Sequence, residues 1–178
     1  MQTNVIVSKI KVIIGLGNPG KKFEFNRHNI GFLVLDALAD KYHASWRDKE
    51  SMSIAQAVIN DRTVLFIKPQ TFMNSSGNVI PFLTKQGVRP EEILVVHDEL
   101  ELPFGQLKLK TGGSHKGHNG LRSIIGVCGD QFIRLRFGIG RPEKKEDVPD
   151  YVLANFTEPQ QTIHTLIGQA ISMIEGII

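Results

Sequence analysis

The chain has 178 residues, of which 41% are hydrophobic and 22% charged, and a net charge of +3. That size and balance describe one soluble globular domain, residues 1–178 with 1–10 as an extra N-terminal tail, large enough to bury a core without a staple. A single cysteine, Cys128, rules out an internal disulfide. No apolar run reaches the ~20 residues of a membrane span, and MQTNVIVSKIK lacks the apolar core and cleavage site of a secretory signal, so a cytoplasmic protein is expected.

In chain order, residues 11–15 read as a buried strand ended by glycine. After Asn29, apolar residues recur at helical spacing (Ile30, Leu33, Val34, Ala37, Leu38), which predicts a helix over 30–42. Residues 54–59 and 63–67 read as strands around a hairpin turn at Asn60-Asp61-Arg62, and Lys68-Pro69-Gln70 breaks the run. Residues 75–86 look helical, with Pro81 bending the helix or limiting its first part. Residues 92–97 form an apolar strand running into Asp98, and 106–110 form another after Pro103. A glycine-rich loop, 111–117, leads to Asn119 as the cap of a helix over 120–127; Cys128 follows as a core residue. Residues 132–139 alternate Phe132, Arg134 and Arg136 against Ile133, Leu135 and Phe137, which predicts a strand with a basic face. A charged mobile loop is expected over 143–149, and Thr157 as the cap of a last amphipathic helix. Strands alternating with helices predict an α/β domain with a mixed, twisted sheet flanked by helices.

Charge is unevenly placed. Residues 105–145 carry nine Lys and Arg against Asp130 and Glu143, a local +7, so the remainder sums to −4. Such a block is either a solvated basic face or a site for a polyanion, phosphate first.

Several familiar chemistries fail on context. Gly15 to Gly20 matches GxGxxG, but Pro19 and the KKFEFNRHN segment delay the helix, and the acid expected at the tip of a second strand is missing. Gly112 to Gly117 is followed by His118-Asn119 where a phosphate-binding loop needs Lys-Ser/Thr. His115 and His118 are three apart, but no further ligand motif supports a metal. No GxSxG is present.

What remains is general-base chemistry. His28 lies in a stretch, residues 15–31, that packs four glycines, a proline, three asparagines and an arginine around it. An imidazole base needs an acceptor to hold its tautomer and raise its basicity. Asp98, at the end of a buried strand, is the best-placed carboxylate; the alternative is that it closes a turn. Glu99 and Glu101 are expected to be solvated. Asn18, Asn74 and Asn119 each sit in a strand-to-helix connection, where an amide serves turn chemistry or grips a peptide, a water or an oxyanion. Phe72 and Met73 line an apolar pocket or belong to the core.

Together the stretches GLGNPGKKFEFNRHNIGF, KPQTFMNSSG, VVHDELELPFGQLKLK, GGSHKGHNGLRSI, FIRLRFGIGRP and DYVLANF resemble bacterial-type peptidyl-tRNA hydrolase. The resemblance implies a single α/β domain that cleaves the ester joining a peptide to the 3′ ribose of tRNA, without metal or cofactor. It implies a monomer that meets the tRNA acceptor end and the nascent peptide. It implies that His28 activates water and that Asp98 orients His28. By the same resemblance Asn18, Asn74 and Asn119 hold the peptide end and assist the water or oxyanion. Met73, with Phe72 beside it, walls the cleft for the terminal nucleotide, and Lys110 and Arg136 clamp the tRNA 5′-phosphate.

The chain departs from the family in having Phe23 where a Tyr is usual and Asn26 where a Thr is usual. The first change keeps a ring in the cleft but removes a hydroxyl. The sequence also ends at Ile178 without the basic tail of many relatives, which predicts weaker tRNA binding. The rival expectation is a non-catalytic RNA-binding relative of the same fold, like some organelle splicing proteins.

Overall fold

Val12–Gly15 forms β1, and every residue of it is buried, because the strand lies between two parallel neighbours in the middle of a seven-stranded sheet. The structure, a computed structural model, describes residues 9–178. The other strands are β2 (Arg47–Lys49), β3 (Met52–Ile59), β4 (Arg62–Pro69), β5 (Ile93–Glu99), β6 (Leu107–Thr111) and β7 (Ile133–Gly138). Their order is β2-β3-β4-β1-β5-β7-β6. β4, β1, β5 and β7 run parallel, while β2, β3 and β6 are antiparallel to their neighbours. The mixed α/β sheet expected from the strand–helix alternation is therefore present.

Helices cover both faces. On one, α1 (Ile30–Lys41) and α5 (Gln160–Glu175) pack over Ile13, Leu94, Val96, Leu135 and Phe137. On the other, α2 (Ile80–Lys85) and α3 (Asn119–Cys128) pack over Ile14, Ile67 and Val95. Truncating a fully buried residue such as Leu35 to Ala would cost about 2–5 kcal/mol. Residues 1–8 of the expected tail lie outside the described residues; Ile10 belongs to the larger core.

The chain leaves β1 toward β4 and leaves β5 toward β7 and β6, so the connections diverge between the carboxyl ends of β1 and β5. In open α/β sheets that divergence opens a crevice. Two glycines let the chain close down on it. A Cβ on Gly31 would lie 2.4 Å from Leu16 N and Val96 O, and one on Gly15 would lie 2.4 Å from Gly31 O. The start of α1 therefore rests directly on the ends of β1 and β5, and the 3-10 turn Arg27–Asn29 is carried there with it.

Several local expectations are corrected. The hairpin turn is only Asn60-Asp61, both at positive φ, so Arg62 already belongs to β4. Pro69 does not break that strand but ends it opposite Met52, where its missing N–H is tolerated. The helix expected over 75–86 is split into a 3-10 segment, Met73–Val79, and α2, with Pro81 in the first turn of α2. Residues 143–149, expected to be a loop, form a 3-10 turn at Lys145–Asp147 and the start of α4 (Val148–Val152). The three exposed residues of β2 gave no periodic signal at all. α5 starts after Pro159 rather than at a Thr157 cap, and α3 is capped by His118 rather than Asn119.

Candidate active site

Asn26, Arg27, His28 and Asn29 are all buried, although they lie in a short polar turn. Tertiary hydrogen bonds explain this. Arg27 N donates to Ala154 O, its guanidinium donates to Tyr151 O, and it stacks 4.1 Å from the centre of the Tyr151 ring. Asn26 Nδ2 donates to Asn155 Oδ1. The DYVLANF segment is thus the clamp that holds this turn. Asn26 is part of that clamp through its bond to Asn155.

His28 Nδ1 lies 2.9 Å from Asp98 Oδ2 and 3.0 Å from Oδ1. A carboxylate can only accept here, so Nδ1 carries the proton and Nε2 keeps its lone pair. Among the described residues Nε2 has no protein partner, and His28 lines a cavity of about 320 Å³ with Asp98, His118 and Asn119. Burial disfavours the His28 imidazolium, but the charge and hydrogen bond of Asp98 outweigh it, so its pKa stands above the ordinary value. Burial would raise Asp98, which is 2% exposed, yet His28 and His118 hold it far below the usual carboxylate range.

His118 is the member of this group that sequence reasoning missed. Its Nδ1 accepts from Gly120 N and Leu121 N at the start of α3. Those two donors require a lone pair on Nδ1, so Nε2 carries the proton and donates to Asp98 Oδ1 at 2.8 Å. The ligand atoms of His28, Asp98 and His118 lie within 4.8 Å of one another, at separations set by these hydrogen bonds. The partial signal was a cap expected at the start of this helix, but the expectation fell on Asn119; the helix begins one residue earlier, at Asn119, so His118 takes the capping position. His97, next to Asp98, is also buried. Its Nδ1 donates to Asp98 O, and burial first, with His118 next, pushes its pKa down to about 3, so it is a neutral structural imidazole.

Asn18 is aligned from two sides. Its N donates to Asn29 Oδ1 and its O accepts from Asn29 Nδ2, both at 2.9 Å. Its Oδ1 accepts from Met73 N at 2.7 Å, which leaves Nδ2 as the group it offers. Asn29, adjacent to His28 and also unforeseen, therefore ties the histidine turn to the asparagine turn. Met73 is buried beside Gly120, where a Cβ would lie 2.5 Å from its sulfur.

The remaining candidates are spread more widely. Asn119 lines the His28 cavity and Asn18 a neighbouring one of about 320 Å³. Asn74 is exposed and accepts a long 3.4 Å hydrogen bond from Ser75 Oγ. Phe72 is 63% exposed, and Phe23 is half-buried with Lys22 over its ring. Lys110 and Arg136 line a third cavity, of about 220 Å³. The basic face expected on β7 is divided: Arg134 is 3% exposed and donates to Gly113 O and Ser114 O, while Arg136 pairs with Glu99. Glu99, expected to be solvated, is buried; Glu101 is exposed and pairs with Arg141.

Comparison with known proteins shows what the whole chain is similar to. The family model described as peptidyl-tRNA hydrolase matches residues 12–178. The peptidyl-tRNA hydrolase of Rickettsia prowazekii is 47% identical over 155 residues, 85% of this chain and 84% of that protein. That of Rickettsia africae is 43% identical over 166 residues, 92% of this chain and 88% of that protein. Among solved structures, peptidyl-tRNA hydrolase from Acinetobacter baumannii is 40% identical with a TM-score of 0.86, covering 96% of this chain and 87% of that one. A peptidyl-tRNA hydrolase solved with N-propanol is likewise 40% identical with a TM-score of 0.90, covering 96% of this chain and 89% of that one.

Proposed function

The chain belongs to the peptidyl-tRNA hydrolase family, which cleaves the ester between peptide and tRNA, and from that premise we propose that His28 performs the cleavage by activating water. The observation that carries the proposal is the His28–Asp98 hydrogen bond, which leaves Nε2 as a lone-pair base beside a cavity. Nε2 takes a proton from water as the water oxygen attacks the ester carbonyl carbon. The resulting tetrahedral oxyanion is met by amide N–H groups, with Asn18 Nδ2, Asn74 and Asn119 as the donors available. Collapse breaks the bond to the ribose 3′ oxygen, which leaves with the proton held on His28. Peptide acid and free tRNA result, and the base is restored. The ester is activated, so no covalent nucleophile is needed.

Lys110 and Arg136 hold the tRNA 5′-phosphate, and Met73, Phe72 and Phe23 form apolar surface for the terminal nucleotide and peptide. The protein acts as a monomer in the cytoplasm; among the described residues no helix is long and apolar enough to cross a membrane. The test is release of peptide from an N-blocked aminoacyl-tRNA. Wild type turns it over, and His28→Ala is slower by about 10²–10⁴. Equal rates would sink the assigned mechanism.

A further inference from the structure

Glu99 is the last residue of β5, one position after Asp98. Its Oε1 accepts from Arg136 Nε at 2.8 Å and from Nη2 at 2.6 Å. Both side chains are largely buried, at 10% and 19% exposure. A guanidinium has two edges able to bind an anion, Nε with one Nη and the pair of Nη groups. Glu99 occupies the first, so the second is the edge left for a ligand.

The cavity that Arg136 lines makes this pairing consequential. The register of β5, β7 and β6 sets Arg136 beside His97 and Lys108, and Arg134 beside Lys110. Lys110 and Lys116 have no carboxylate partner among the described residues, and Arg134 bonds only to neutral carbonyls. Glu99, Glu101 and Lys116 line this cavity and also the one that holds His28. Glu99 is thus part of the wall between the two.

We propose that Glu99 is a positioning residue for phosphate recognition: it fixes the guanidinium of Arg136 so that its free edge meets a terminal phosphate in the cavity shared with Lys110. This rests on the reading that Lys110 and Arg136 bind the tRNA 5′-phosphate. A carboxylate retained in a phosphate site lowers its net attraction for any anion, so Glu99 contributes geometry rather than charge. It favours a compact terminal phosphate over a hydroxyl end or a passing backbone diester.

The test compares acceptor-stem RNA hairpins bearing a 5′-phosphate or a 5′-hydroxyl, at one fixed salt concentration. Their dissociation constants are measured for wild type, Glu99→Ala, Glu99→Gln, Arg136→Ala and the double Glu99→Ala/Arg136→Ala variant, each checked by thermal melting. Wild type should prefer the phosphate hairpin by roughly tenfold, the size expected for hydrogen bonds to a charged group. Glu99→Ala should lose most of that preference, and Glu99→Gln, which keeps an acceptor oxygen, should regain part of it. The double variant should be no worse than Arg136→Ala. Should Glu99→Ala bind the phosphate hairpin as tightly as wild type or more tightly, Glu99 is not a positioner and the proposal is overturned. If Arg136→Ala leaves the preference intact, the phosphate reading itself fails and the proposal falls with it.

Discussion

His118 and Asp98 are joined by a 2.8 Å hydrogen bond whose direction is set at the far side of the imidazole, where the backbone of α3 occupies Nδ1. The start of one helix thereby fixes one oxygen of the carboxylate that holds His28. His118→Ala should slow hydrolysis roughly ten- to hundredfold, the range for removing a hydrogen bond to a charged group. It should also cost about 1 kcal/mol through removal of the helix cap. His118→Asn restores a capping acceptor, so thermal melts should recover while the rate does not. Recovery of both would reduce His118 to a cap.

The raised pKa of His28 predicts a pH profile. The free base is the active form, so kcat/KM should rise with pH and level off above the raised value. Asp98→Asn removes the charge that raises it, so the midpoint should move down and the plateau should fall by about 10²–10⁴. For stability the sign is the reverse. The His28–Asp98 attraction is fully present below the ordinary histidine value of 6.5 and is lost as pH rises through the folded value. An unmoved midpoint in Asp98→Asn would separate the two residues functionally.

Asn29 and Asn18 form a reciprocal pair of hydrogen bonds. Asn29→Ala leaves two buried backbone groups without partners and should destabilise the fold by about 1–3 kcal/mol. It should lower turnover as well, because Asn18 loses its alignment. Asn18→Ala leaves one buried group, Met73 N, without its acceptor, so it should destabilise by less than Asn29→Ala, and it should lower the rate by about 10²–10³ through loss of the Nδ2 donor to the oxyanion. Melting curves and single-turnover rates for the two variants distinguish these effects.

Phosphate binding should appear in salt dependence. Lys110→Ala combined with Arg136→Ala should reduce the slope of log K against log salt for tRNA by about 0.7–0.9 for each phosphate charge that the protein no longer neutralises. An unchanged slope would move the phosphate site elsewhere on the basic segment.

Glu92 offers a test away from the site. Its carboxylate accepts from Arg89 N and pairs with Lys11, and these partners lower its pKa to about 2. The stability it contributes is complete above its ordinary value of 4.5 and is lost as pH falls toward 2. Glu92→Gln should melt below wild type at pH 7, with the gap closing in acid.

The linear sequence determined what is local. Apolar periodicity located the central strands and α1, because burial on both faces of a parallel sheet leaves an almost unbroken apolar run such as Ile93-Leu94-Val95-Val96. The concentration of His, Asn and Gly in residues 15–31 marked the turn that carries His28, because a plain loop does not need those groups together. Only the tertiary structure decided the pairings. Nothing within residues 26–29 shows that they are buried; their partners lie at Tyr151 and Asn155, on the far side of the sequence. Glu99 read as solvated because its counter-ion is on a strand 37 residues away. His118 read as a loop histidine because its carboxylate is 20 residues upstream. A polar side chain's burial and tautomer depend on which donor or acceptor the fold sets against it, and that choice is made by the packing of sheet and helices rather than by neighbours in the chain.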